Sequence, residues 1–190
     1  MDEIRETALP YRQKYTYRDY ANVPGETPCQ LIGGDLVLTP PPSMYHQRIS
    51  AKLVARMRIF AESHDLGEVY HPPTSVYFNE EETYQPDIVF IAKGRTAIIE
   101  ADRVNGAPDL VIEILSPSTA HNDLQTKFKT YEKYALGEYW IIDPDKHMVD
   151  VYRKHGAGLT LRRKVGGKGL IESKVLPGFK VDAEYLFSDL

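Results

Sequence analysis

The chain is poor in the features that mark several large classes of protein. A single cysteine, Cys29, leaves no internal disulfide, and no apolar stretch approaches the roughly 20 residues of a membrane-crossing helix. Met1-Asp2-Glu3-Ile4-Arg5-Glu6 lacks the basic-then-apolar order of a secretory signal, so a cytoplasmic protein with no membrane contact is expected. Positive charge is not in excess either. Against 27 Asp and Glu stand 23 Lys and Arg, a net charge of −4, which argues against a protein that coats nucleic acid by bulk charge. A Gly-rich phosphate loop, a His-Glu-x-x-His pair and a Cys-x-x-Cys pair are all missing. Ser116 and Ser118 lack the flanking glycines of a nucleophile turn and read as capping or loop residues. Nucleotide-dependent, zinc and serine-hydrolase chemistries therefore have little support.

What remains is an ordinary soluble composition, 42% hydrophobic and 26% charged over 190 residues, enough for one sizeable core. The expected organisation is an N-terminal extension over 1–24 carrying a short helix, then a single domain over 25–190. Thirteen tyrosines read as amphipathic packing rather than as base-stacking platforms. Thr16 followed by Asp19 resembles a capping box, predicting a short helix to about Asn22. Gly33-Gly34 between Gln30-Leu31-Ile32 and Asp35-Leu36-Val37-Leu38 predicts a β-hairpin. Beyond Pro40-Pro41-Pro42, Ser43 can cap a helix in which His46, Ile49, Leu53, Met57 and Phe60 share a face.

Strands are expected at Glu68–Tyr70 and Ser75–Phe78, with Asn79-Glu80-Glu81-Glu82 as a solvated acidic turn, then at Gln85–Ile91 with Asp87 near its start. A helix from Asn122 should present Leu124, Phe128, Tyr131 and Ala135 on one face. Glu138–Asp143 and Met148–Arg153 predict a second hairpin, and the C-terminal part reads as sheet edge. Its basic cluster, Arg162, Arg163, Lys164 and Lys168, is by default a solvated edge; a phosphate-backbone contact is the sharper alternative.

The centre of the chain is Pro108-Asp109-Leu110-Val111-Ile112-Glu113-Ile114-Leu115-Ser116-Pro117-Ser118-Thr119, an apolar, β-branched run that reads as a buried strand with one carboxylate inside it. A buried carboxylate costs several kcal/mol unless paired, hydrogen-bonded or metal-bound, so Glu113 is neutralised by a base or functional. If Asp87 lies on the adjacent strand, the two carboxylates form the oxygen-rich corner that Mg²⁺ or Mn²⁺ prefers. Asp109 shares the face of Glu113 but stands roughly 13 Å away along the strand, a strand-end residue or a support to the site. Phosphodiester hydrolysis also needs a positive group. The same-face position two residues on is Leu115, so the following helix would have to supply it. Lys127 lies at the border of that helix's apolar face and can reach in, although a surface pair with Asp123 is equally compatible. Tyr131 can orient phosphate or water, or simply pack. His46 is either a core histidine bonded to backbone, the preferred reading, or a phosphate contact.

At these residues the chain resembles the Uma2 family of restriction endonucleases, within the PD-(D/E)XK nuclease superfamily. The matching pieces are Pro86-Asp87, the run from Pro108 to Thr119, Asp123 with Lys127 and Tyr131, Glu138-Tyr139-Trp140 and Asp143-Pro144, about two-thirds of the chain in the family's order. The resemblance implies an α/β, restriction-endonuclease-like mixed β-sheet flanked by helices, with the hairpin at the N-terminal side and a β-hairpin region at the C-terminal side. It implies Asp87 and Glu113 as metal ligands, Lys127 as a catalytic cation moved from strand to helix, and a histidine at His46. Two positions depart from the family pattern: Gln30 stands where an acidic residue is common, and Gly33-Gly34 replaces an Asp-Gly turn, although Asp35 is present. The expected activity is a Mg²⁺- or Mn²⁺-dependent endonuclease hydrolysing phosphodiester bonds, with DNA as substrate. The alternative is an inactive nuclease-fold module binding nucleic acid or protein, with Glu113 and Lys127 as a structural ion pair. A homodimer is expected by analogy with the superfamily, with the apolar hairpin around Trp140 as a candidate surface.

Overall fold

The computed structural model describes residues 14–24, 27–117 and 120–188. Met1–Glu6, most of the expected N-terminal extension, and Ser118-Thr119 at the end of the central run lie outside the described residues. The first element, α1 (Tyr17–Ala21), begins at Thr16, whose N–H and hydroxyl both donate to the Asp19 carboxylate at 2.8 Å. Those two bonds hold the Asp19 carboxyl below its usual range. Strands β1 (Cys29–Ile32) and β2 (Asp35–Leu38) pair antiparallel around Gly33 and Gly34, both at positive φ as a two-residue turn of this kind demands. Helix α2 (Met44–Ser63) starts where the Ser43 hydroxyl accepts from the His46 N–H, and it buries His46, Ile49, Leu53, Met57 and Ala61. Ala61 thus takes the innermost place in the last turn, and Phe60 packs beside it only partly buried.

Next come β3 (Gly67–Tyr70), β4 (Val76–Asn79), β5 (Glu82–Tyr84) and β6 (Ile88–Ala92). Two expectations change here. The acidic turn is not merely solvated, because Glu82 opens β5, accepts the Gly33 N–H at 3.0 Å and binds the Tyr84 hydroxyl, tying the first hairpin to its neighbour. Gln85 and Pro86 precede β6 rather than belong to it. A 3₁₀ turn over Lys93–Ile98 and the short β7 (Val104–Asn105) lead to β8 (Leu110–Ile114), which is buried throughout. After it, a π-helical turn (Asn122–Thr126) runs into α3 (Lys127–Lys133). Then follow β9 (Glu138–Asp143), β10 (Met148–His155), β11 (Gly158–Val165), β12 (Leu170–Glu172), β13 (Lys180–Asp182) and α4 (Ala183–Phe187).

The strands form a six-stranded sheet, β11-β10-β9-β8-β6-β3, a five-stranded sheet, β2-β1-β5-β4-β7, and the β12-β13 ribbon. Both larger sheets are mixed: β8 runs parallel to β9, and β4 parallel to β7. This is the α/β arrangement of mixed sheets flanked by helices that the sequence predicts. Side chains alternate along β8 and β9 between two apolar layers. Ile112, Trp140 and Ile142 pack on Ile49, Leu53 and Met57 of α2 and on Leu186 of α4. Val111, Tyr139 and Ile141 meet Tyr131 of α3 and Val76, Phe78 and Tyr84 of the five-stranded sheet. Trp140 is wholly buried and donates its ring N–H to Glu138, so the second hairpin cannot offer it as a subunit surface. No helix among the described residues is long and apolar enough to cross a membrane.

Candidate active site

Asp87 stands one residue ahead of β6, and Glu113 is the fourth residue of β8. Because Ile88 pairs with Ile112, the next step of this antiparallel ladder sets Asp87 opposite Glu113. Asp87 Oδ2 accepts the Ile114 N–H at 2.7 Å and lies 3.2 Å from His46 Nε2. Burial draws the His46 imidazole toward the neutral form, but the hydrogen bond and charge of Asp87 outweigh it, and its pKa is raised. His46 is therefore not a core histidine bonded only to backbone; it braces the Asp87 carboxylate.

Glu113 Oε1 accepts from Lys127 Nζ at 3.0 Å and from the Tyr131 hydroxyl at 2.9 Å. Lys127 Nζ also lies 2.8 Å from Asp123 Oδ1. Glu113 is 3% exposed, and Lys127 and Asp123 are each 2% exposed. Burial pushes the Glu113 carboxyl up, the Lys127 charge pulls it down, and the charges of Asp123 and Asp87 push it up again, leaving it raised to about 8. Burial works against the charged form of Lys127, yet the two carboxylates outweigh it and keep the ammonium. Burial and the Glu113 charge hold the Tyr131 phenol protonated, which suits its role as donor. Lys127 thus bridges the Glu113 and Asp123 carboxylates, and Asp87 lies across the β6–β8 ladder from Glu113.

The position of Lys127 corrects the expected helix face. Leu124 and Ala135 are exposed, whereas Asp123, Lys127, Thr130 and Tyr131 are buried. The buried positions 123, 127, 130 and 131 keep ordinary helical spacing one residue out of phase with the predicted stripe, which carries Lys127 from its border to its centre; they begin in a π-helical turn, a feature that recurs at functional sites. Its i,i+4 pair with Asp123 exists, but inside the protein rather than on its surface. From the residues alone Asp123 reads as a surface partner of Lys127, and the family resemblance places it beside Lys127 and Tyr131 without a role; its i,i+4 spacing from Lys127 is the available signal.

Asp109 stays out of this cluster. At the other end of β8, its Oδ2 accepts the Ala92 N–H at 2.8 Å and its Oδ1 meets Arg95 at 3.0 Å. Leu115 donates its N–H to Ile142 and packs on the apolar layer. Gln30, at the position where the third acid is missing, accepts the Gln85 N–H at 3.0 Å and donates to Thr39 at 3.4 Å. Arg162, Arg163 and Lys164 of the basic cluster lie on β11 and Lys168 follows it; Lys164 meets Asp150 at 3.2 Å and Arg163 reaches Glu172 at 4.0 Å. The registers run from Glu113 to Ile141, Asp150 and Lys164, three strands away and so about 14 Å off.

Asp87, Glu113 and Lys127 line one cavity of about 690 Å³. Mg²⁺ is commonly held by one or two carboxylates while it keeps several waters. The donors fit that pattern: the protein's bonds fall on Asp87 Oδ2 and Glu113 Oε1, and among the described residues Asp87 Oδ1 and Glu113 Oε2 accept none. They do not fit a closed zinc-type cage, since no group of three or more His, Cys, Asp or Glu among the described residues is arranged to hold a metal.

A family model, Uma2, described as "Putative restriction endonuclease", matches residues 15–184. Among solved structures, the crystal structure of "a putative nuclease belonging to DUF820" from Anabaena variabilis superposes with a TM-score of 0.75 at 21% sequence identity. The match covers 90% of this chain and 97% of that one. No curated protein matches the chain.

Proposed function

The chain belongs to the Uma2 family, and on that footing we propose that it is a divalent-metal-dependent nuclease that hydrolyses phosphodiester bonds, with DNA as its substrate. The observation that carries this reading is the cross-strand meeting of Asp87 and Glu113 on the wall of a cavity, with the Lys127 ammonium beside them. Asp87 and Glu113 would hold Mg²⁺ or Mn²⁺, which supplies Lewis-acid polarisation of the phosphate and a more acidic water. The Ile114 N–H and His46 keep Asp87 in place, and Tyr131 fixes the rotamer of Glu113. Lys127, tethered by Asp123, offers a positive N–H donor where charge develops on the phosphoryl oxygens.

A second reading has its own observation. Lys127 already sits between two buried carboxylates, as it would in a structural ion cluster of an inactive module. Cleavage of supercoiled plasmid with Mg²⁺, Mn²⁺ or EDTA, with calorimetric metal titration, separates the two. The nuclease reading expects metal-dependent nicking lost in Glu113→Gln and Lys127→Ala, and metal binding lost in Asp87→Asn. No cleavage and no bound metal would leave the ion cluster as structure.

A further inference from the structure

The cavity that holds Asp87, Glu113 and Lys127 has walls of unusual chemistry for a nuclease. Proteins that grip duplex DNA do so with Lys and Arg along the phosphates. Among the described lining residues the only Lys or Arg is Lys127, which is buried and bound to Glu113 and Asp123. Four carboxylates line the same space: Asp87, Glu113, Asp123 and Asp145. The remaining wall mixes apolar faces, among them Pro40-Pro41-Pro42, Pro72-Pro73 and the exposed ring of His71, with neutral polar groups such as Gln47 and Ser50 from α2. Proline has no N–H to donate, so the proline faces offer surface to a base, while Gln47 and Ser50 bring no charge to hold a phosphate.

Size points the same way. A volume of about 690 Å³ corresponds to a space ~9 Å on a side, narrower than the ~12 Å major groove of a duplex alone. Glu113 and Lys127 have almost no surface of their own, so a scissile phosphate reaches them only by entering. Lys164 of the basic cluster on β11 is about 14 Å from Glu113, too far to hold that phosphate itself.

We propose that this pocket takes an unpaired nucleotide, so that the substrate is single-stranded nucleic acid or a flap or bubble within a duplex, not closed duplex. The proposal rests on the nuclease reading above and narrows its substrate. The base packs against the proline walls and His71, and its phosphate is directed to the Asp87–Glu113 edge.

The test uses the full chain and one oligonucleotide sequence in four forms: single strand, blunt duplex, duplex with a central bubble, and the mononucleotide. Binding is measured by fluorescence anisotropy with Ca²⁺, and cleavage with Mg²⁺ or Mn²⁺. Single strand and bubble are expected to bind and react at least tenfold better than duplex. His71→Ala, on the exposed rim, should weaken single-strand binding about fivefold or more while the melting temperature stays unchanged. Duplex bound and cut as well as single strand would overturn the proposal and leave the nuclease reading intact. Single-strand preference in binding with no cleavage in any metal would uphold the pocket and sink the nuclease reading. Mononucleotide binding as tight as the single strand would replace a polymer substrate with a free nucleotide, also against the proposal.

Discussion

Two carboxylates are buried on neighbouring parallel strands, Glu113 near the end of β8 and Glu138 at the start of β9, and they are served very differently. Glu138 is saturated: Oε1 accepts the Trp140 ring N–H at 2.7 Å, and Oε2 accepts Arg153 Nε at 3.0 Å and the Lys174 N–H at 2.9 Å. Both protein contacts of Glu113 fall on Oε1, and its neighbours are more carboxylates and a cavity. Burial alone therefore does not mark a site. A carboxylate with both oxygens spent on donors is part of the scaffold, and one left with spare lone pairs in an acidic pocket is suited to bind a cation.

The largest expected effect lies on the scaffold side. Glu138→Ala strands a partly exposed guanidinium, an indole N–H and a backbone N–H at once, and should cost about 3–5 kcal/mol in urea denaturation. Metal affinity of the folded fraction should not change. A cost under about 1 kcal/mol would erase the distinction between the two glutamates, because isolated surface pairs are worth that little.

Glu113→Gln should behave in the opposite way. Burial raises the Glu113 pKa from 4.5 to about 8, so between those values the native state keeps a proton that the unfolded chain has released. Stability from this group is then fully present below about pH 4.5 and is lost as pH rises toward 8. Gln cannot ionise, and Lys127 keeps Asp123 at 2.8 Å. The variant is expected to match wild type near pH 4.5 and to exceed it by on the order of 4 kcal/mol at pH 8, measured without metal across a pH series. A loss of stability at every pH would place Glu113 with Glu138 as scaffold.

Local chemistry made much of this architecture readable. Gly33-Gly34 specifies its turn, Ser43 its helix start, and the β-branched run around Glu113 its buried strand, because each signal involves residues close in sequence. Asp87 and Glu113 could be paired from the sequence only on the supposition that their strands adjoin, which the β6–β8 ladder bears out, and the family resemblance is matched over residues 15–184. What was not readable depends on distant partners or on phase. Glu138 reveals itself only through Arg153 and Lys174, 15 and 36 residues on. The buried stripe of the helix was legible in its spacing but not in its phase: Asp123, Lys127, Thr130 and Tyr131 keep helical spacing, yet Asp123 and Lys127 are charged and Leu124 is apolar, so hydrophobicity points one residue away. Glu82 looked like surface because one of its donors, the Gly33 N–H, comes from the β1–β2 turn 49 residues away.

Asp109 gives the smallest effect and the sharpest boundary between the two classes. It shares a strand with Glu113 but, like Glu138, has both oxygens occupied, by the Ala92 N–H and by Arg95. Arg95 is 45% exposed at its side chain, so water screens that pair and most of the value lies in the backbone bond. Asp109→Ala is therefore expected to cost about 1–2 kcal/mol, less than Glu138→Ala, while leaving calorimetric metal affinity and cleavage rate within about twofold of wild type. If metal affinity fell tenfold instead, the whole acidic face of β8 would belong to the site. Occupied oxygens would then no longer separate scaffold from function in this sheet.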